Sequence, residues 1–267
     1  MTFAAGAVPL YHVDAFTDRP FRGNPAAVCP LDAWLPDDLM LAIATENNLS
    51  ETAFFVRRND SFDLRWFTPA VEVDLCGHAT LAAAFVLMTR IEPERTAATF
   101  HSRSGPLRVT RDGDLFTLDF PARPPAAIAE PDGLAAALGA SPCAVLKARD
   151  TIAVLDSPEA VRRLSPDMER LKAIGGFAVC VTAPGGDGDV DFVSRFFAPA
   201  QGIPEDPVTG SSHCSLVPYW AGRLGKPVLR ARQVSPRGGE LRCALAGDRV
   251  RIAGRAVLVV TGLLHLR

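Results

Sequence analysis

Two stretches of this sequence combine a glycine with side chains capable of acid/base or nucleophilic chemistry. They are Asp74-Leu75-Cys76-Gly77-His78 and Asp206-Pro207-Val208-Thr209-Gly210-Ser211. A run typical of a helix follows each one, so each glycine lies where a helix begins. The first N–H groups of a helix have no partner inside it, and the positive end of the helix dipole favours anions. The sequence therefore predicts two helix ends that bind an anionic group.

One carboxyl group outside these stretches is a candidate acid/base. Glu51 follows Leu49 and precedes the apolar run Ala53-Phe54-Phe55. A carboxyl group that is buried without a cation holds its proton more tightly, and it can then both give and take a proton near neutral pH. A solvated glutamate at the end of a strand is the alternative interpretation.

The titratable groups near the two predicted helix ends have structural interpretations as well as chemical ones. His78 and His213 fall in first helical turns, where the dipole biases a histidine toward its neutral form, and either could simply cap or pack. Cys76 is either a thiolate stabilised by the helix start or a small buried side chain. Asp74 and Asp206 precede the helices, so helix capping is the structural interpretation of both. From the residues alone these alternatives stay open.

The six cysteines are widely spaced and form no C-x-x-C pair. This spacing indicates neither a zinc site nor a redox dithiol. The sequence also lacks a Walker loop, a G-x-S-x-G elbow and an H-E-x-x-H motif. We therefore predict no metal and no cofactor.

Two copies of one structural unit must position these residues. Arg65–Ala70 precedes the first glycine stretch, and Arg195–Ala200 precedes the second, 130 residues later. Each copy predicts a strand ending in Pro-Ala, a polar loop with an aspartate, a bare glycine and a helix, which indicates a duplicated architecture. The helix after Gly77 has no polar face as far as Met88, so protein or lipid must surround it. The apolar run Leu75–Thr89 has only 15 residues, short of the roughly 20 that cross a bilayer, so we expect a helix threaded through a wrapped sheet.

The rest of the chain predicts mostly strands, divided by a proline-rich linker. Four prolines between Pro121 and Pro131 separate a domain of residues 1–122 from one of residues 123–267, whose closing strand over 257–266 could pair back onto the first. Helices are predicted from Pro36 to Asn48, over residues 135–138 and over Ser157–Leu171. Strands are predicted over residues 11–16, 26–29, 49–56, 62–67, 100–109, 115–120, 144–148, 151–155, 177–182, 190–197 and 257–266.

The composition limits the kinds of molecule that this chain is expected to bind. The chain has 267 residues, 48% of them hydrophobic, a formal net charge of −2 and a pI near 6.2, so no overall basic field predicts nucleic-acid binding. Between residues 223 and 267 ten Lys and Arg face two acidic residues, which indicates a solvated face or a field that steers an anionic substrate. Met1–Leu10 lacks the basic start and long apolar core of a signal peptide, so we predict a cytoplasmic protein.

Five motifs together resemble the phenazine biosynthesis PhzF-like isomerase family, in order and nearly end to end. They are Gly23-Asn24-Pro25-Ala26-Ala27-Val28, Asn48-Leu49-Ser50-Glu51-Thr52, Leu75-Cys76-Gly77-His78-Ala79-Thr80, Ser104-Gly105-Pro106-Leu107 and Glu205-Asp206-Pro207-Val208-Thr209-Gly210-Ser211. The resemblance implies an α+β fold of the diaminopimelate epimerase type, in which two similar halves each roll a sheet around a central helix and the site lies between them. It also implies a homodimer.

The resemblance assigns roles to particular residues. Glu51 matches the family's general acid/base, and His78 and Asp206 match its substrate-contacting residues. The backbone N–H groups of Gly77, Gly210 and Ser211 would hold a substrate carboxylate, and Asn24 and Cys76 lie in the same motifs and are predicted to contact the substrate. The implied reaction moves a proton between carbons of a small carboxylic acid without a cofactor.

Two departures from related proteins refine this expectation and leave alternatives. The phenazine enzyme has a proline where this chain has Ala79, so its own substrate does not transfer. The related amino acid epimerases use two facing cysteines, whereas Ser212 stands at the second position here, which favours one base, Glu51. The alternatives are a hydrolase or transferase that uses Cys76 with His78 or His213, and a non-catalytic protein that binds a small ligand.

Overall fold

The structure is a computed structural model that describes residues 6–186 and 188–266. Part of the Met1–Leu10 stretch therefore lies outside the described residues. Up to residue 121 the elements are β1 (Ala7–Ala15), β2 (Asn24–Leu31), α1 (Asp37–Asn47), β3 (Glu51–Arg58), β4 (Ser61–Phe67), β5 (Glu72–Val73), α2 (Gly77–Val86), a π-helical turn (Leu87–Ile91), β6 (Ala97–Ser102), β7 (Gly105–Asp112) and β8 (Leu115–Pro121).

The remaining elements repeat this order with short additions. They are β9 (Ala126–Ala127), α3 (Leu134–Leu138), β10 (Ala144–Lys147), β11 (Thr151–Val154), α4 (Pro158–Arg163), α5 (Met168–Ile174), β12 (Val179–Pro184), β13 (Phe192–Ala198), a 3-10 turn (Pro199–Gln201), β14 (Ile203–Asp206), α6 (Gly210–Leu224), β15 (Val228–Gln233), β16 (Gly239–Ala246), β17 (Arg249–Gly254) and β18 (Ala256–His265).

The chain divides into two compact units. The first contains the residues up to Asp119 together with those from Ala253 onward, and the second is Phe120–Ile252. Strand β18 belongs to the first unit because it pairs antiparallel with β1 along its whole length. In the described ranges, no helix is both long and apolar enough to cross a membrane.

The helix α2 is the core of the first unit. Every residue from Gly77 to Val86 is buried except Phe85, and the helix packs against β1, β2, β3 and β18. Alanines at positions 79, 82, 83 and 84 let these strands approach the helix from several sides, while Leu81 is fully buried among them. The predicted helix with no polar face, enclosed by a sheet, is confirmed.

The two units share one pattern of strand pairing. In the first unit β2 pairs parallel with β3, β3 antiparallel with β4, β4 parallel with β6, and β6 antiparallel with β7. In the second unit β11, β12, β13, β15 and β16 repeat the same sequence of parallel and antiparallel pairs. The helices α2 and α6 occupy the same place in this order. The predicted duplication is therefore confirmed.

A repeated ion pair fixes the loop that leads to each central helix. Arg65 Nε and Nη2 donate to the two carboxylate oxygens of Glu72 at 2.7 and 2.8 Å. Arg195 makes the same two bonds to Glu205, at 2.7 and 2.8 Å. Each guanidinium also lies over the phenylalanine two residues further on, Phe67 or Phe197. A bidentate pair of this kind sets the orientation of both groups.

Two predicted elements are wrong in detail. The single strand expected over residues 100–109 is instead a hairpin of two strands, β6 and β7. Arg103 and Ser104 form the turn between them, and Gly105 adopts φ +94°. The single helix expected over Ser157–Leu171 is two, α4 and α5, because Pro166 has no N–H to donate and disfavours helix in the residue before it. The αL residue Asn48 ends α1 as expected.

Strands β15, β16 and β17 were not predicted from the sequence. They contain five of the ten Lys and Arg residues between 223 and 267, and their arginines at 230, 242 and 251 are exposed between buried neighbours. Their alternation of polar and apolar residues is typical of a half-buried strand, a signal that the prediction missed. This placement fits the solvated face that the sequence left as one of two interpretations.

Replacing Glu205 with Gln should lower the free energy of unfolding by about 3 kcal/mol, because Arg195 would lose its charged partner in a mostly buried place. Chemical denaturation followed by circular dichroism measures this loss. The matched control is Glu159→Gln, whose partner Arg162 is largely solvated, so its cost should stay below about 1 kcal/mol. Equal small losses in both variants would show that the repeated pair contributes little.

Candidate active site

Glu51 lies at the first position of β3, next to Ala26 of the parallel strand β2. Its side chain is 12% exposed, and its Oε2 lies 3.0 Å from Nε2 of His78. Glu51 is therefore not the solvated strand-end residue that the sequence left as an alternative. The condition considered from the sequence, burial without a cation, does not apply either, because α2 brings His78 beside it.

His78 is the second residue of α2 and the centre of the cluster. Its Nδ1 lies 3.1 Å from the Asn24 amide nitrogen and 3.5 Å from Cys76 Sγ, on the side of the ring away from Glu51. Burial alone lowers the pKa of His78, but the Glu51 carboxylate beside the ring raises it, and the pKa lies well above its ordinary value. The neutral form expected from the helix dipole is thus wrong for His78, since a charge at 3.0 Å acts more strongly than partial charges at a helix end.

Asn24 ties this cluster to the segment before β3. It is fully buried at the start of β2, and its Oδ1 accepts a hydrogen bond from Ser50 Oγ at 3.1 Å. Ser50 directly precedes Glu51 in the chain. The amide therefore links the backbone near Glu51 to the ring of His78.

Cys76 is the N-terminal capping position of α2 and is buried. Burial raises the pKa of its thiol to about 11, and the charge of Glu51 acts in the same direction. At neutral pH the side chain is consequently a neutral thiol. The small buried cysteine, one of two interpretations open at the start, is the one that fits.

Glu51, Cys76 and His78 offer three potential metal ligands whose donor atoms lie within 4.8 Å of one another. Glu51 contacts Nε2 of the ring, however, and Cys76 contacts Nδ1. One ion binds only one nitrogen of a given imidazole, so these contacts do not converge on a common point. The arrangement suits a chain of polar contacts better than it suits a metal centre.

Neither predicted aspartate caps a helix. The capping positions are Cys76 for α2 and Thr209 for α6, and neither side chain makes a capping hydrogen bond. Asp74 is exposed, and Asp206 accepts a hydrogen bond from Thr209 Oγ1. The reason is that each helix starts at its glycine, three residues beyond Asp74 and four residues beyond Asp206. The N–H groups of both first turns are thus left without an N-cap side chain, and they suit an anion.

In the second unit, the loop with Asp206 leads directly to Gly210 and Ser211 at the start of α6. Gln233 on β15, which is fully buried, holds this loop. Its Nε2 donates to the Asp206 carbonyl at 2.7 Å, and its Oε1 accepts from the Thr209 N–H at 2.9 Å. Sequence reasoning missed Gln233, because one amide within an unpredicted strand carries no local pattern.

His213 is a packing residue of α6. Burial lowers its pKa to about 4, so the ring is neutral as expected. Its Nδ1 lies 2.8 Å from the Thr209 carbonyl, and the ring lies beside that of Phe192 with centroids 5.7 Å apart. The structure thus gathers Asn24, Glu51, Cys76, Gly77 and His78 in the first unit, and Asp206, Gly210 and Ser211 in the second.

Comparison with known proteins identifies relatives of this chain. Residues 13–262 match the family model described as phenazine biosynthesis-like protein. An uncharacterized isomerase of Pseudomonas aeruginosa is 54% identical over 96% of this chain and 98% of its own. The crystal structure of a phenazine biosynthesis protein of the PhzF family from Enterococcus faecalis has a TM-score of 0.95 at 49% identity, covering 97% of this chain and 100% of that one.

A more distant structure bears on the fold alone. A predicted epimerase from Pseudomonas aeruginosa has a TM-score of 0.72 at 24% identity, covering 96% of this chain and 99% of its own. The expected fold class is confirmed: an α+β protein of the diaminopimelate epimerase type with two similar halves. By family match, by relatives and by fold, this chain belongs to the phenazine biosynthesis-like protein family and is an isomerase.

Proposed function

We propose that this isomerase moves a proton on a small carboxylic acid without a cofactor, with Glu51 as the general acid/base. The observation that carries the proposal is the contact at 3.0 Å between the nearly buried Glu51 carboxylate and His78, at a helix start that no side chain caps. A carboxylate held in this way is a base with a fixed direction of attack.

The reaction needs one base and one group that accepts negative charge. Glu51 takes a proton from a carbon next to a carboxylate or conjugated group, and the electron pair of the broken C–H bond spreads onto substrate oxygens. Glu51 then returns the proton, either to another carbon or to the same one. The N–H group of Gly77 and the ring of His78 stabilise the transient negative charge. Hydrogen-bond donors and cations that are already in position act most strongly where charge develops.

The second unit contributes substrate contacts in this proposal. Asp206, Gly210 and Ser211 match the family's motif, and Gln233 holds the loop that contains Asp206. The first-turn N–H groups of α6, like those of α2, are not taken by an N-cap side chain. A carboxylate accepts such hydrogen bonds well. The cytoplasmic location and the homodimer stay predictions from the sequence.

The Cys76-dependent hydrolase or transferase has less support. It requires a thiolate at neutral pH, whereas burial raises the pKa of Cys76 to about 11. A non-catalytic binding protein would use the same helix ends, and only turnover separates it from the isomerase.

In deuterium oxide, turnover should place deuterium at the reacting carbon, because Glu51 exchanges its proton with solvent between abstraction and return. Purified protein is incubated with a panel of small hydroxy, amino and unsaturated acids, and mass spectrometry follows mass gain. Binding of several acids without exchange in any of them would favour the non-catalytic alternative.

Glu51→Gln should lower kcat by roughly 100-fold or more, because the amide keeps the shape of the side chain but cannot accept the proton. Steady-state kinetics on an acid found by deuterium incorporation measures the loss. Glu46→Gln, an exposed change on the neighbouring helix α1, is the matched control and should leave kcat unaltered. Near-normal turnover of Glu51→Gln would refute the assignment.

Iodoacetamide should alkylate Cys76 about tenfold or more slowly than the exposed Cys143 at pH 7.5, because only the thiolate reacts and the raised pKa of Cys76 leaves little of it. Peptide mass spectrometry at timed intervals compares the two sites within one molecule. Rapid, stoichiometric inactivation with the label on Cys76 would instead support the thiolate enzyme.

A further inference from the structure

The two units use the same local geometry with different side chains. In the first unit Asn24, at the entry to β2, contacts the side chain of His78, which follows the first glycine of α2. In the second unit Arg149, two residues before β11, donates from Nη2 to Ser211 Oγ at 3.1 Å, and Ser211 follows the first glycine of α6. The duplication therefore places an arginine close to where the other half has an asparagine.

The strand register identifies the second-unit counterpart of Glu51. Thr52 pairs with Phe67 in the first unit, and Val179 pairs with Phe197 in the second. The two phenylalanines correspond because each follows the arginine of a repeated ion pair by two residues. The residue before Thr52 is Glu51, and the residue before Val179 is Ala178. The second unit thus lacks a carboxylate at this position and has a guanidinium nearby.

Arg149 is held on two sides. Its Nε and Nη2 donate to the two oxygens of Asp150, which is almost fully buried, at 2.9 and 3.1 Å. The guanidinium also stacks over the ring of Phe177, 4.3 Å from its centroid. These contacts fix the plane of the group, so little further rotamer freedom is lost when it binds a ligand.

One edge of the guanidinium is left for a ligand. Among the hydrogen bonds of the described residues, none uses Nη1 of Arg149. The side chain is 32% exposed, so a small molecule can reach it. Nη1 carries two N–H donors, and guanidinium N–H groups match the geometry of a carboxylate.

We propose that Arg149 recognises the carboxylate of the substrate, with Ser211 as its neighbouring donor. This inference rests on the proposed function, in which Ser211 contacts the substrate. It assigns recognition of the anionic group to the second unit. The substrate class is thereby narrowed to acids that present a free carboxylate, and the corresponding amides are excluded.

The test compares benzoate with benzamide, which are similar in size and differ in charge. By calorimetry the wild-type protein should bind benzoate about tenfold or more tightly, the scale of one charged hydrogen bond. In Arg149→Gln the ratio of the dissociation constants of benzamide and benzoate should fall close to one. Arg149→Lys should retain part of the preference, because lysine keeps the charge but not the planar guanidinium group. If Arg149 had a merely structural role, its substitution would weaken the binding of both ligands alike.

Arg162→Gln is the matched control, since Arg162 lies in the same unit in a solvated ion pair, and it should keep the full preference. Thermal melts establish whether each variant is folded. If Arg149→Gln is unfolded, Arg149→Lys provides the test. An unaltered preference in either folded Arg149 variant, or no preference in the wild type, would overturn the inference.

Deuterium incorporation separates this inference from the proposed function. If the Arg149 variants keep the preference while deuterium incorporation depends on Glu51, the carboxylate site is wrong and the acid/base assignment stands. If incorporation is independent of Glu51 while Arg149 controls the preference, the acid/base assignment is wrong and the carboxylate site stands.

Discussion

The burial of α2 on all sides is the constraint on which the first unit depends. Alanine, leucine and valine side chains cover this helix, so it is stable only where strands enclose it. An enclosed helix has few places for its unpaired N–H groups, and here its first turn meets Asn24, Glu51 and Cys76. The same packing that stabilises the fold therefore gathers the polar side chains at the helix start.

The polar cluster is stable because its members compensate each other. A buried carboxylate without a partner is costly, and so is a buried imidazolium, but each one offsets the desolvation of the other at 3.0 Å. Asn24, whose Oδ1 accepts a hydrogen bond from Ser50 Oγ, lies against Nδ1 of the ring and helps to fix its position. A cluster of this kind holds charged groups in a place from which water is largely excluded, which is where electrostatic effects are strongest.

Duplication explains both the symmetry of the scaffold and the asymmetry of its chemistry. The ion pairs Arg65–Glu72 and Arg195–Glu205 have nearly the same geometry. Each pair fixes the loop that leads to the glycine at the start of a central helix. The positions around those glycines are free to differ, since they do not support the sheet. Glu51 has Ala178 as its counterpart, so the second unit has no carboxylate at this position.

The sequence by itself determined the duplication, the buried helix after Gly77, the αL end of α1 at Asn48 and the family. These follow from apolar periodicity, from glycine and from motif order, all of which are local properties of the chain. The prediction missed the break at Pro166, and it missed β15 to β17 although their polar and apolar alternation is also a local property.

Only the tertiary structure decided the charges and partners of the candidate site. The pKa of His78 is raised because the Glu51 carboxylate lies against it, and that contact joins residues 27 positions apart. Cys76 is a neutral thiol mainly because folding buries it. Gln233 and Arg149 became visible for the same reason. The interactions of a titratable group depend on neighbours that folding brings from distant parts of the chain, and no local pattern records them.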